Sequence, residues 1–236
     1  MNNIKDLSIS LEKTIMNSDL QCVTVNIAEA FTDSLLNDGL LRGIPIIGTI
    51  VGLTKVSFSI SESLFIKKIL YFLTEIKDVD AEERTKLISD IDRSEKQKIR
   101  VGEKLLYILE KCDDHTSASY VAIVFSAFLK KEISYSDFLR CSSIIQKLFN
   151  DDFEHFIKTE NSEIFKLGKY DSLSDFQIGL VASGVCATEI ERFTVDDKDD
   201  YKSGDKYKVG GGSTNLYLSD IGAILKNIFK KIAANI

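Results

Sequence analysis

Gly43-Ile-Pro-Ile-Ile-Gly-Thr-Ile-Val-Gly-Leu-Thr-Lys-Val-Ser-Phe-Ser-Ile60 is a glycine-punctuated apolar run, and it continues as an amphipathic helix to Leu73. Such a run is buried in a helical core, or it meets a membrane or a partner. Pro45 suits the first turn of a helix, where its missing N–H costs nothing. Gly48 and Gly52 lie one turn apart and allow close backbone approach, a spacing that also lets membrane helices pack. About 20 apolar residues span a bilayer, but Lys55 interrupts this run and would cost a few kcal/mol at mid-membrane. Three readings follow: a core helical hairpin in a bundle, a membrane-inserting segment, or a protein–protein interface. The candidate contact residues are Ile46, Ile47, Ile50, Val51, Leu53 and Phe58.

Working outward, the spacing predicts helices on both sides. Ile4, Leu7, Leu11 and Ile15 mark one helical face, and a second helix follows Ser18 and ends near Gly39. Asp80 caps a helix over 81–92, with Glu83 three residues on, and 94–111 reads as the next. Residues 117–130 are apolar nearly all round, which places that helix at the centre of a bundle. Ser134 caps a further helix, with Asp137 at its third position and Phe138, Leu139, Ile144, Ile145, Leu148 and Phe149 on its inner face.

Beyond about 165 the pattern changes. Ser172–Ala187 reads as a short helix, and Ile190–Val195 and Asn215–Leu218 read as strands. Between the strands lie the charged tract Asp196–Lys208 and Gly210-Gly-Gly212. Ser219 caps a last helix carrying Ile221, Ile224, Leu225, Ile228, Phe229 and Ile232 on one stripe. Helix, strand, glycine-rich wing, strand, helix is the order of a winged-helix-like module. The expected fold is mainly α, with a multi-helix bundle over 1–165 and a small winged-helix-like α+β module over 166–236.

Composition narrows the chemistry. The 236 residues carry 28% charged side chains and a net charge of −6. An acidic chain lacks the excess Lys and Arg that displace counterions from phosphates, so nucleic acid is not an expected partner. The wing tract balances five aspartates against four lysines, and the helix that would read bases has no Lys or Arg. Cys22, Cys112, Cys141 and Cys186 form no CxxC pair and sit among apolar neighbours, which suits buried thiols. Met-Asn-Asn-Ile-Lys-Asp at the N-terminus has no signal-peptide pattern. The expected compartment is a reducing cytosol, with peripheral membrane contact as the accompanying alternative.

Few side chains suggest a reaction. His115 follows Asp113 and Asp114, and His155 follows Asp151, Asp152 and Glu154. If the two segments met they would offer carboxylate and imidazole to a metal; otherwise both are acidic helix caps. Lys131–Leu139 lacks the upstream acidic loop of a calcium site. GxSxG, HExxH and P-loop motifs are absent from the sequence. Lys226, Lys230 and Lys231 are expected to face away from the apolar stripe of the last helix, for an anionic membrane, a partner groove or solvent.

Three segments carry a resemblance: Leu40-Leu-Arg-Gly-Ile-Pro-Ile-Ile-Gly-Thr-Ile-Val-Gly-Leu53, Phe65-Ile-Lys-Lys-Ile-Leu-Tyr-Phe-Leu73 and Glu132-Ile-Ser-Tyr-Ser-Asp-Phe-Leu139. Together they resemble a loose group of uncharacterised bacterial proteins from mobile-element and phage-defence neighbourhoods. Leu218-Ser-Asp-Ile-Gly222 is similar to the end of a winged-helix module. The resemblance implies a bacterial cytosolic protein with a defence role, and it brings no catalytic residues or cofactor. The sequence as a whole predicts a non-enzymatic interaction or effector protein acting on a protein partner, a second copy or a membrane. The alternative is a winged-helix regulator, and a metal enzyme on the two histidine segments is a third class.

Overall fold

The computed structural model describes residues 2–20, 43–53, 59–94, 99–167, 172–197 and 207–233. These are mainly helical, with a small antiparallel ribbon near the C-terminus. The predicted helix after Ser18, together with Lys55, Phe58 and Cys22, lies outside the described residues. The chain divides into two compact units, 1–146 and 147–236. The expected boundary near 165 moves toward the N-terminus, because Phe153 packs edge-on to Phe229 at 5.1 Å and so binds its helix to the C-terminal elements.

The first unit contains α1 (Asn2–Ile15), α2 (Pro45–Leu53), α3 (Ile60–Ile76), α4 (Ala81–Asp92), α5 (Val101–Lys111), α6 (His115–Leu129) and α7 (Tyr135–Ile145). The α6 helix is buried on nearly every side, as its all-round apolar surface predicts. It packs chiefly on α3 and then on α7. Phe125 lies 5.6 Å from the Phe72 ring and 5.1 Å from Phe138. Each such fully buried ring contributes roughly 2–3 kcal/mol by leaving water.

Caps set the helix limits. Ser59 and Glu62 form a reciprocal capping box, as do Ser134 and Asp137, while Asp80 accepts from Glu82 N and Glu83 N. The Ser59 box corrects the expectation of one helix running through residue 60. An N-cap there starts a new helix, with its own first-turn N–H groups to satisfy. The expected core hairpin is also revised, since α2 packs mainly on α1 and α3 mainly on α6. Thr14 Oγ1 on α1 accepts from Ile46 N at 3.1 Å, and Ser10 Oγ lies 2.7 Å from Thr49 Oγ1. The α5 helix starts at Val101 rather than 94, where Asp92 Oδ1 accepts Val101 N–H at 2.8 Å.

Two buried polar groups tie α1 to its neighbours. Arg84, 1% exposed, sits against the C-terminal end of α3 and donates to the carbonyls of Ile76, Lys77, Val79 and Asn17. A cation there complements the negative helix end. Glu12, 3% exposed, accepts from Arg100 and from Gly102 N. Lys131 ends α6 in the left-handed conformation, φ 60°. Its N–H reaches Phe128 O and that of Glu132 reaches Ala127 O, both at 2.9 Å, which is the Schellman pattern.

The second unit contains α8 (Asn150–Lys158), α9 (Asn161–Ile164), α10 (Asp175–Ser183), β1 (Cys186–Ile190), β2 (Thr194–Asp197), β3 (Tyr207–Gly210), β4 (Thr214–Leu218) and α11 (Asp220–Ala233). Ser174 and Gln177 cap α10 reciprocally, and Gln177 Nε2 also donates to Ile164 O and Lys166 O. Gly184 at φ 92° stops α10, so Cys186 and Ala187 belong to β1 and not to the predicted helix. Ser219 Oγ accepts from Gly222 N at 3.0 Å, confirming the expected cap of α11. Phe149, expected on an inner face, is 63% exposed; α7 has already ended at Ile145.

β1 pairs with β4, and β2 with β3, both antiparallel. The intervening residues bend the ribbon and break the predicted continuous strand over 190–195. Gly211 and Gly212 take φ of 80° and 83° there. A side chain on Gly211 would collide with Arg192 O, and one on Gly212 with the Phe193 ring.

Candidate functional site

The predicted contact residues of α2 are mostly interior. Ile46, Ile47 and Ile50 are buried, Val51 is half-buried, and only Leu53, at 40%, is exposed. Helices present their apolar stripe to the core when a neighbour can cover it, and α1 does so here. Among the described residues no atom lies within 4 Å of where a Cβ on Gly52 would sit, so Gly52 makes no close helix contact. No described helix is long and apolar enough to cross a membrane.

The C-terminal lysines separate. Lys226 is 2% exposed, which corrects its expected outward position. Its Nζ donates to Thr159 O and lies 5.0 Å from the Phe156 ring centroid. Burial, then Lys230, lowers its pKa, with Glu160 and Cys186 opposing. The long apolar stem lets a lysine on a buried stripe reach a carbonyl beyond it. Lys230 is exposed and lies 3.7 Å from Glu160. Lys231 is exposed on the same helix.

In the first unit, α3, the end of α5 and the start of α6 enclose a cleft of about 350 Å³. Leu64, Phe65, Lys67, Glu110, Asp113 and His115 are among its lining residues. The His115 ring sits 4.4 Å from Tyr71, and Lys67 Nζ lies 6.0 Å from the same ring. Burial and then Lys67 lower the His115 pKa, against Asp114. Lys68 is committed to the carbonyls of Glu110 and Cys112 at the end of α5. Asp114 accepts from Ser117 N at 2.9 Å and Ser117 Oγ at 3.0 Å, capping α6. Burial raises the Asp114 pKa, but these bonds and His115 outweigh it and the net shift is down.

This cleft has mixed charge and no assembled reactive group. Cys112, which follows α5, is buried and its thiol is pushed up to about 12, so it is not a nucleophile near neutral pH. Cys141 and Cys186 are likewise buried, at about 12 and about 11. No group of three or more His, Cys, Asp or Glu suited to a metal occurs among the described residues. His155 stands edge-on to Phe176 at 4.7 Å in the second unit. A larger depression of about 430 Å³ is lined by α4 and the adjoining Arg93 alone, a furrow on one helix surface.

Exposed apolar side chains are more numerous on the ribbon than on α2. Ile190, Phe193 and Val195 are 68%, 73% and 63% exposed, and Tyr217 is 47% exposed. Among the ribbon residues whose burial is described, Cys186 and Leu216 on the β1–β4 ladder are buried. Sequence patterning identifies these residues as strand formers but not as exposed ones, because alternation does not tell which face finds a core. No family model, curated protein or solved structure matches the chain.

Proposed function

We propose that this is a non-enzymatic interaction protein whose β-ribbon docks a protein partner. The observation that carries the reading is the exposure of Ile190, Phe193 and Val195 on the ribbon. Large exposed apolar side chains grouped together mark interaction surfaces, and aromatic anchors carry much of the binding energy at interfaces. The Phe193 ring lies in the space that a Cβ on Gly212 would fill. The order α10, ribbon, α11 supports a winged-helix-like module with the ribbon as its wing. In β2 the wing carries Asp196 and Asp197, which favours a protein over a phosphate backbone.

The role expected of α2 therefore moves to the ribbon. A photo-crosslinking residue at position 190, in the otherwise intact chain, should capture a discrete protein in the native host. Adding Phe193→Ser and Val195→Ser should abolish capture without changing the circular dichroism. Capture that survives both substitutions rules the reading out. So does binding to anionic vesicles with dye leakage and no captured protein. The identity of the captured protein also tests the defence role that the resemblance implies.

A further inference from the structure

The two ladders of the ribbon share one register. Cys186 faces Leu218, Ile190 faces Thr214, and beyond the bend Thr194 faces Gly210. Along an antiparallel pair, facing residues alternate between those that exchange both hydrogen bonds and those whose N–H and C=O point outward. The flanking bonds set the phase: Ser219 N donates to Val185 O at 3.0 Å, and Glu191 N to Ser213 O at 2.9 Å. Ala187–Tyr217 and Glu189–Asn215 are therefore the bonded pairs. The peptide groups of Thr214, Leu216 and Leu218 point off the second edge of β4. Among the described residues no strand pairs with that edge, and no loop or helix backbone bonds to those three groups.

This edge lacks the usual protection. Exposed edges are guarded by charges, prolines or bulges. Val209 to Ser219 contains no charged residue and no proline, in a chain with 28% charged residues. The other arm of the ribbon carries Glu189, Glu191, Arg192, Asp196 and Asp197. A two-stranded ribbon needs a helix against it or a further strand to be stable in water; α10 and α11 pack on β1 and β4, and the second edge of β4 is left to take a strand.

We infer that β4 pairs with β4 of a second copy of this chain, antiparallel, about a two-fold axis at Leu216. In that register Leu216 faces its own counterpart and Thr214 faces Leu218 of the second copy. All three outward peptide groups of each strand then find partners, and the strand order becomes β1-β4-β4-β1. The uncharged strand meets itself without like-charge opposition, as an isologous contact requires. This inference does not rest on the partner-docking role of Phe193 and Val195, and the two fail separately.

The test is the mass of the full chain by light scattering across a concentration series, with Thr214→Pro and Thr214→Lys. The Thr214 N–H points outward, so proline there removes an intermolecular donor and leaves the internal ladder intact. Wild type should be a dimer. Both variants should be monomers with unchanged far-ultraviolet circular dichroism and a melting temperature that no longer depends on concentration, and the Leu216 amide should lose its concentration-dependent exchange protection. Phe193→Ser should remain dimeric. A wild-type monomer at the highest concentration overturns the inference. So does a dimer that persists in the Thr214→Lys protein, which stays testable if the proline variant fails to fold.

Discussion

Glu12 and Gly102 are locked together: Glu12 Oε1 accepts the Gly102 N–H at 3.0 Å, and Gly102 has no room for a side chain. A Cβ there would fall 2.5 Å from Ser8 O and 2.7 Å from Glu12 Cγ. The first N–H groups of α5 have no partner within the helix, so α4 and α1 supply acceptors through Asp92 and Glu12. Glu12→Ala leaves the Gly102 donor buried and unpaired, at a cost of about 1–3 kcal/mol. Gly102→Ala forces α1 off α5 and costs a similar amount. Urea unfolding of both variants checks this, and Glu12→Gln, which keeps an acceptor, should lose less than Glu12→Ala.

Asp92 makes part of this clasp sensitive to pH. Burial, and then the Glu12 carboxylate, raise its pKa over the opposing Val101 N–H and Arg100. The folded state therefore holds the Asp92 proton more tightly than the unfolded state. Its contribution to stability falls as pH rises from the ordinary carboxylate range through the raised value. Asp92→Asn should flatten the stability profile across that window and leave the profile near neutral pH parallel to wild type. Unfolding free energies measured at closely spaced pH values decide the point.

Ile47 and Leu53 lie on the same short helix and should respond oppositely. Ile47 is 1% exposed, so Ile47→Ala costs roughly 2–4 kcal/mol and Ile47→Asp prevents folding. Leu53 is 40% exposed, so Leu53→Ala costs about 0.5 kcal/mol or less. Thermal melts that show equal losses at the two positions would contradict the docking of α2 on α1.

Lys131 is the described non-glycine residue with positive φ. Left-handed backbone disfavours a side chain by about 1–2 kcal/mol, part of which glycine gives back as unfolded-state entropy. Lys131→Gly should stabilise the protein by about 0.5–1 kcal/mol, raising the melting temperature by about 2 °C. The Schellman bonds at Phe128 and Ala127 require no change for this. A lower melting temperature would mean that the lysine side chain is itself structural.

The fold was legible wherever a local signal had one outcome. Ser134 with Asp137, Asp80 with Glu83 and Ser219 before Gly222 announce helix starts because a short side chain can reach only those N–H groups. The all-round apolar surface of α6 announces its central place. Segments with two physically sound outcomes were not legible. Ser57–Ile60 alternates like a strand and leads into helical spacing, and only the Ser59–Glu62 reciprocity reveals a fresh start. Lys226 falls on a buried stripe because its stem is apolar and Thr159 O lies within reach. The candidate site was the least legible part. Ile47 and Phe193 are both large and apolar, and their opposite exposure depends on which one finds a neighbouring helix.

The shared register of the two ladders constrains how the ribbon can change length. Because side chains alternate between faces, one residue gained or lost at 191–193 without a match at 211–213 would turn over every residue beyond the bend. Val195 would exchange faces with Thr194. Insertions and deletions in the two arms are therefore coupled, and an unmatched change in chain length is tolerated only between Asp197 and Tyr207, where it leaves both ladders in step.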